Sequence, residues 1–127
     1  TNLMMVKNKI GVIDTQDALI GNKAYDPASL IDDVRFKTSK KFKKKLFYYY
    51  IKSQKKINKQ DFLNDFEIIS VLRNLKIIGI FTRLAVRDKK KKYLRLIPYT
   101  WNLIKFRTRN NDKFKNLNDL LNTLRKS

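Results

Sequence analysis

The chain has 127 residues, a hydrophobic fraction of 43% and a formal net charge of +19 from 30 Lys and Arg against 11 Asp and Glu. This length and composition suit one domain, or part of one, with an ordinary core. The sequence contains neither Cys nor His. Disulfides, thiolate metal sites, Ser-His triads and most zinc sites are therefore excluded, and any chemistry must use carboxylates, amides, hydroxyls and cations.

The positive charge has two explanations. A basic chain can bind nucleic acid or an anionic membrane. Alternatively, Lys is the default surface residue of a composition that is rich in Lys, Asn and Ile, and we favour this because the cations are scattered as well as clustered.

The longest apolar window, Ile68 to Val86, contains Arg73, Lys76 and Arg83, which would be costly inside a bilayer. We expect a buried helix there, no membrane association, no secretory signal and a cytoplasmic location.

The first predicted element is a β-hairpin. Two apolar runs, Leu3 to Val6 and Ile10 to Ile13, flank a short loop at Lys7 to Lys9. Such a hairpin would bring Asn2 round towards Asp14. An amide oxygen and a carboxylate facing one site provide the oxygen ligands that Mg²⁺ prefers, so the pattern predicts a metal site at the open end of the hairpin.

The next element is a helix that begins at Asp26-Pro27. We expect Asp26 to be its N-cap and Pro27 its first residue. The helix should end near Phe36. Its expected inward-facing residues are Leu30, Ile31 and Val34.

Two longer helices follow. Ser39 should cap a helix over about Lys40 to Gln54, and Asn58, with Asp61 three residues later, should cap one over about Lys59 to Val86. The middle of the second is apolar nearly all round, which predicts an enclosed helix at the axis of the core. Gly79 lies within this helix, and a close helix–helix contact would explain it.

Two lysine runs could bind polyanions. Lys40 to Lys45 precedes the aromatic residues Phe47 to Tyr50, and lysines beside aromatic rings can bind single-stranded nucleic acid by stacking. The helical period favours aromatic rings in the core beside a solvated lysine face. Lys89 to Lys92 should be a solvated loop or a frayed helix end. Beyond it we expect a helix from Pro98 to about Arg107 and a last helix that begins at Asn116 or Asn118.

The segment after the hairpin resembles a known family. Val12-Ile13-Asp14, Ala18, Gly21 and Asp26 match the metal-binding segment of the aminoglycoside phosphotransferase and choline kinase-like family. The phrases GVIDTQDALIG and GIFTRLAVRDKKKKYL resemble bacterial sugar kinases that act on N-acetylmuramate or N-acetylglucosamine. Thr15 replaces the aromatic residue that is usual in the family, and Asn22-Lys23 replaces Asp-Pro.

The resemblance implies an α+β, mostly α, C-terminal lobe of a protein-kinase-like fold, with the hairpin and metal loop at 1–26 and a helical bundle at 27–127. It implies an ATP-dependent phosphotransferase that uses Mg²⁺, with Asn2 and Asp14 binding the metal and nucleotide. Asp17 would orient the metal loop or lie in a second shell, and Asp26 would brace the catalytic loop. The phosphate acceptor would be a small molecule, and an amino sugar is our first expectation.

The same resemblance places the catalytic Asp five residues before Asn2, upstream of Thr1, together with a nucleotide-binding N-terminal lobe. We therefore expect a C-terminal fragment of a longer phosphotransferase that is inactive alone. The alternative is a basic helical module that binds nucleic acid.

Overall fold

A computed structural model describes residues 3–13 and 20–124. Within these ranges the chain forms one antiparallel β-hairpin followed by helices, which confirms the mostly helical α+β composition. The elements are β1 (Leu3–Val6), β2 (Lys9–Val12), α1 (Tyr25–Ile31), α2 (Lys40–Ser53), α3 (Lys59–Val86), a 3₁₀ helix (Lys91–Leu96), α4 (Ile97–Thr108), a 3₁₀ turn (Asp112–Phe114) and α5 (Lys115–Leu124).

The hairpin is confirmed, with a tighter turn than expected. Its register pairs Leu3 with Val12 and Val6 with Lys9. Only Lys7 and Asn8 remain for the turn, and Lys7 takes the left-handed region with φ of 53°. A positive φ at a two-residue turn matches the right-handed twist of the flanking strands, although Gly or Asn adopts it more readily.

The prediction that Asp26 caps α1 was wrong. The helix begins at Tyr25, and its N-cap is Ala24, which makes no side-chain capping bond. Asn22 starts the turn instead, because its Oδ1 accepts from Ala24 N at 2.8 Å and its backbone oxygen accepts from Tyr25 N at 3.0 Å. Asp26 therefore lies in the first turn, where a carboxylate interacts favourably with the helix dipole.

Helix α1 also ends earlier than expected. It stops at Ile31, five residues before Phe36, because Asp32 leaves helical geometry and turns its carboxylate into the interior. Ile31 and Val34 are buried as expected, whereas Leu30 is exposed.

Helices α2 and α3 begin where the caps predicted. Ser39 accepts from Phe42 N, and Asn58 accepts from the backbone N–H groups of Gln60 and Asp61. The observed helices differ from the expected ranges by one residue at the end of α2 and by none in α3.

Helix α3 is the axis of the core, as expected. It contributes residues to three hydrophobic clusters. The first also contains residues of α1 and α2, the second contains residues from the region of α4, and the third contains residues from the end where α4 and α5 meet. It is not enclosed all round, however, because Leu72 is exposed. The expected close contact at Gly79 was also wrong, since a Cβ built there would meet no described atom of another helix within 4 Å.

The C-terminal third consists of short helices that return along α3. Lys89 has a φ of 55° at the end of α3, and the Lys90 N–H bonds to Leu84 O at 2.9 Å. The second half of the Lys89–Lys92 run belongs to the 3₁₀ helix, and its side chains are exposed. Across residues 3–13 and 20–124, no helix is both long and apolar enough to span a bilayer.

Candidate functional site

The expected metal residues Asn2 and Asp14 lie outside the described residues, as does Asp17, which was expected to support the metal loop. The structure defines what flanks them, namely the hairpin on one side and the residues from Ile20 onward on the other. Among the described residues, no group of three or more His, Cys, Asp or Glu side chains is arranged to hold a metal ion.

Asn22 anchors the chain where it leaves the candidate metal segment. Its Nδ2 donates to Asp65 Oδ2 of α3 at 2.7 Å, and its Oδ1 accepts from Ala24 N. The neighbouring Lys23 carbonyl accepts a longer bond from Tyr50 Oη of α2 at 3.4 Å. The segment is thus tied to both long helices immediately before α1.

A shallow cleft of about 390 Å³ lies beside this anchor. Its walls are the loop of residues 21–23 and the beginning of α3, where Asp61 and Asp65 stand one helical turn apart. Carboxylate and amide groups of this kind can bond hydroxyl groups. The lining residues are Gly21, Asn22, Lys23, Lys56, Ile57, Asn58, Asp61, Phe62 and Asp65.

Asp32 is the centre of a buried polar cluster beneath the helices. Its carboxylate accepts from Arg107 Nε at 2.8 Å and Nη2 at 3.1 Å, and from Ser70 Oγ at 2.5 Å. Lys43 Nζ lies 3.3 Å from Oδ1 and also donates to Ile31 O. The Asp32 side chain is 1% exposed and that of Lys43 is 2% exposed.

The electrostatics of the cluster favour an ionised Asp32. Burial by itself raises the pKa of this carboxyl, but the hydrogen bonds from Arg107 and Ser70 and the charges of Arg107 and Lys43 outweigh it, so that the pKa is lowered from its ordinary value of 3.8. Two cations share one carboxylate. Lys43 gains a further partner in Ile31 O at the C-terminal end of α1, where the helix dipole is negative.

Sequence reasoning missed this cluster. Lys43 was counted with a solvated lysine face, yet it is buried, while Lys40, Lys41, Lys44 and Lys45 are exposed. A signal was available, because Lys43 stands four and seven residues before Phe47 and Tyr50, on the same helical stripe. No pattern in the sequence paired Arg107 with Asp32, since the two residues are 75 positions apart.

The aromatic run of α2 is only partly in the core. Phe47 is buried, packing edge-on against Phe66 with ring centroids 5.0 Å apart. Tyr48 and Tyr49 are 52% and 76% exposed, contrary to the expectation that the rings point inward. Lys59 Nζ lies 4.8 Å from the centroid of the Tyr48 ring.

Asn74 is a buried amide on the core face of α3. Neither Oδ1 nor Nδ2 has a hydrogen-bond partner in the described part of the chain. It lies one turn beyond Ser70, so the two residues form a polar stripe on α3.

Comparison with known proteins finds three related kinases. The chain is 36% identical over 110 residues to an N-acetylmuramate/N-acetylglucosamine kinase of Neisseria meningitidis. The aligned region covers 82% of the chain and 33% of that protein. It is 30% identical over 93 residues to the kinase of the same name in Caulobacter vibrioides, covering 73% of the chain and 26% of that protein.

The third relative, of the same name, is from Pseudomonas aeruginosa. It is 30% identical over 131 aligned positions, covering 97% of the chain and 38% of that protein. The chain is similar to part of these amino-sugar kinases. No family model matches it.

These amino-sugar kinases confirm the sugar-kinase resemblance inferred from the sequence. The chain spans between about a quarter and two fifths of their length. The relation to the wider kinase-like fold and the metal-binding roles of Asn2 and Asp14 remain predictions.

Proposed function

We propose that this chain is the C-terminal lobe of an ATP-dependent kinase that phosphorylates a hydroxyl of an amino sugar in the cytoplasm. The observation that carries the proposal is the similarity to three kinases named for N-acetylmuramate and N-acetylglucosamine. The mostly helical fold behind a single hairpin agrees with it. On this proposal the isolated chain does not turn over ATP, because it corresponds to only part of such a kinase.

The hairpin supports the proposed metal site. Its register pairs Leu3 with Val12, so Asn2 precedes one member of the terminal pair and Asp14 follows the other by two residues. On our proposal, both residues lie at the open end of the ribbon. An amide and a carboxylate oxygen suit Mg²⁺, which would offset the charge of the nucleotide phosphates during transfer. Asp17 would support this loop.

The Asn22 anchor supports a positioning role for the region around it. A phosphotransferase depends on holding its metal and acceptor in place, because the protein contributes positioning and charge rather than covalent chemistry. The bond from Asn22 to Asp65 fixes the exit of the proposed metal loop to α3. Asp26, in the first turn of α1, would brace the same region. The adjoining cleft, which contains Asp61 and Asp65, is our candidate for part of the acceptor site.

The test uses a chimera in which this chain replaces the matched third of the Neisseria meningitidis kinase. We expect the chimera to phosphorylate N-acetylglucosamine or N-acetylmuramate with ATP and Mg²⁺, and the isolated chain to be inactive. Asp14→Asn should reduce kcat at least about 100-fold, since removal of a metal ligand weakens electrostatic stabilisation of the transferring group. Asp119→Asn, an exposed carboxylate on α5, is the matched control. Equal activity of the two variants would refute the metal role of Asp14.

A second candidate function is binding of single-stranded nucleic acid. The exposed Tyr48 and Tyr49 and the exposed lysines of α2 favour it, together with the net charge of +19. Fluorescence anisotropy with a labelled oligonucleotide should then show affinity that falls steeply with salt and is weakened by Tyr49→Ala. Affinity that is unaffected by Tyr49→Ala would leave only non-specific charge attraction.

A further inference from the structure

The hairpin presents an apolar face that the described helices leave uncovered. Residues that are paired across an antiparallel ribbon share a face, so the register places four apolar side chains together. We call this the hairpin face, and it consists of Leu3, Met5, Ile10 and Val12. These side chains are between 49% and 70% exposed.

The opposite face of the ribbon has a different character. It carries Met4 and Val6, paired with Gly11 and Lys9 respectively. Its centre lacks a side chain at Gly11, and its turn end carries a charge. The hairpin face is therefore the better match for an apolar partner, whereas the opposite face provides a control with the same backbone.

An isolated two-stranded hairpin is marginally stable, and an exposed apolar ribbon with open edges favours association. The relatives supply a candidate for the missing cover, because between about three fifths and three quarters of their length lies outside the match to this chain. A surface inside a longer enzyme is exposed when only a part of that enzyme is present.

We propose that the hairpin face is a docking surface for polypeptide of the same kinase outside this chain, through an apolar patch on that polypeptide. This inference rests on the proposed function, since it takes the chain as part of a longer kinase. It goes beyond that function by naming four contact residues that have no catalytic role. Docking would also fix the ribbon whose open end leads to Asn2 and Asp14.

The experiment compares the isolated chain with the chimera by hydrogen exchange of the hairpin amides. In the isolated chain these amides should exchange at nearly the rate of an unstructured peptide. In the chimera they should exchange at least about 10-fold more slowly, because a docked hairpin opens less often. Substantial protection in the isolated chain as a monomer would overturn the proposal.

Paired variants identify which face docks. Met5→Thr/Ile10→Thr removes two members of the hairpin face while keeping strand-forming residues, and Met4→Thr/Val6→Thr makes the matched change on the other face. In the chimera, the first pair should abolish the added protection and lower the melting temperature, and the second should retain both. Equal effects of the two pairs would refute the assignment of the face.

Two further measurements distinguish docking from self-association of the chain and from failure of the proposed function. Sedimentation of the isolated chain should show a monomer, and a dimer that Met5→Thr/Ile10→Thr dissociates would overturn the proposal in favour of a second copy. Kinase activity is scored separately. A protected hairpin in an inactive chimera would support docking and contradict the proposed function. An unprotected hairpin in an active chimera would contradict docking and support the proposed function.

Discussion

Arg107 holds Asp32 through two hydrogen bonds, from Nε at 2.8 Å and from Nη2 at 3.1 Å, across 75 residues of sequence. Its guanidinium also stacks 4.8 Å from the ring centroid of Phe66 and 4.7 Å from that of Phe106. The pair thus joins the end of α1 to α4 through the aromatic core of α3. Lys43 and Ser70 bring α2 and α3 into the same cluster.

The fold depends on this cluster, because removal of the Asp32 carboxylate would leave the buried cations Lys43 and Arg107 without it. We expect Asp32→Asn to lower the free energy of unfolding by about 3–5 kcal/mol, the usual cost of breaking a buried ion pair. Urea unfolding followed by circular dichroism measures it. Asp33→Asn is the matched control, since Asp33 pairs with the largely exposed Arg35 and its loss should cost at most about 1 kcal/mol. Equal losses would show that the cluster contributes no more than a surface pair.

The cluster also predicts acid sensitivity. The folded-state pKa of Asp32 is lowered from 3.8, so its contribution to stability is present above that pH and is lost as the pH falls through the folded-state pKa. Unfolding free energy should therefore decline below about pH 4 in the wild-type chain. The decline should be shallower in Asp32→Asn, with the lowered pKa of Asp33 contributing a smaller remainder. Parallel curves for the two proteins would contradict the assignment.

The sequence predicted what depends on local signals and missed what depends on tertiary contacts. Ser39 and Asn58 located the starts of α2 and α3 because a capping side chain acts on its own next turn. The prediction that Asp26 is the N-cap of α1 was wrong because Asn22, four residues earlier, accepts the bond from Ala24 N and starts the turn there. Lys43 was assigned to the surface because its charge outweighed its position on the apolar stripe, and its contacts with Asp32 and with Ile31 O explain its burial.

The same distinction applies to the candidate site. The pattern around Asp14 identified a resemblance to sugar kinases that the relatives confirm. The anchor from Asn22 to Asp65 could not be predicted, because it links a loop to a helix 43 residues away.

Gly79 offers a simple stabilising substitution. It lies on an exposed part of α3, and an added Cβ would meet no atom within 4 Å beyond the backbone of its own helix in the described part of the chain. Gly79→Ala should raise the free energy of unfolding by about 1 kcal/mol through lower backbone entropy in the unfolded chain and better helix propensity. Thermal unfolding measures the change. A destabilised variant would indicate a contact at this position.

Lys89 marks the end of α3 with a backbone conformation that a side chain disfavours. Its φ of 55° should cost about 1 kcal/mol relative to glycine, so Lys89→Gly should stabilise the chain by about that amount. Lys90→Gly removes the same charge at a residue with φ of −87° and should give no such gain. Urea unfolding of the two variants compares them, and equal shifts would attribute the effect to charge instead.

The Asn22–Asp65 bond can be tested by exchanging its partners. Asn22→Asp keeps an oxygen for the Ala24 N–H but replaces the donor to Asp65 with a second carboxylate, so stability should fall by about 0.5–1.5 kcal/mol at pH 7, the range for an exposed hydrogen bond. Adding Asp65→Asn restores one amide and one carboxylate, and the double variant should recover most of the loss. A double-mutant cycle by urea unfolding gives the coupling energy.

In the kinase chimera, kcat should fall in Asn22→Asp and recover in the double variant if this bond positions the metal loop. Recovery of stability without recovery of kcat would restrict the bond to a structural role.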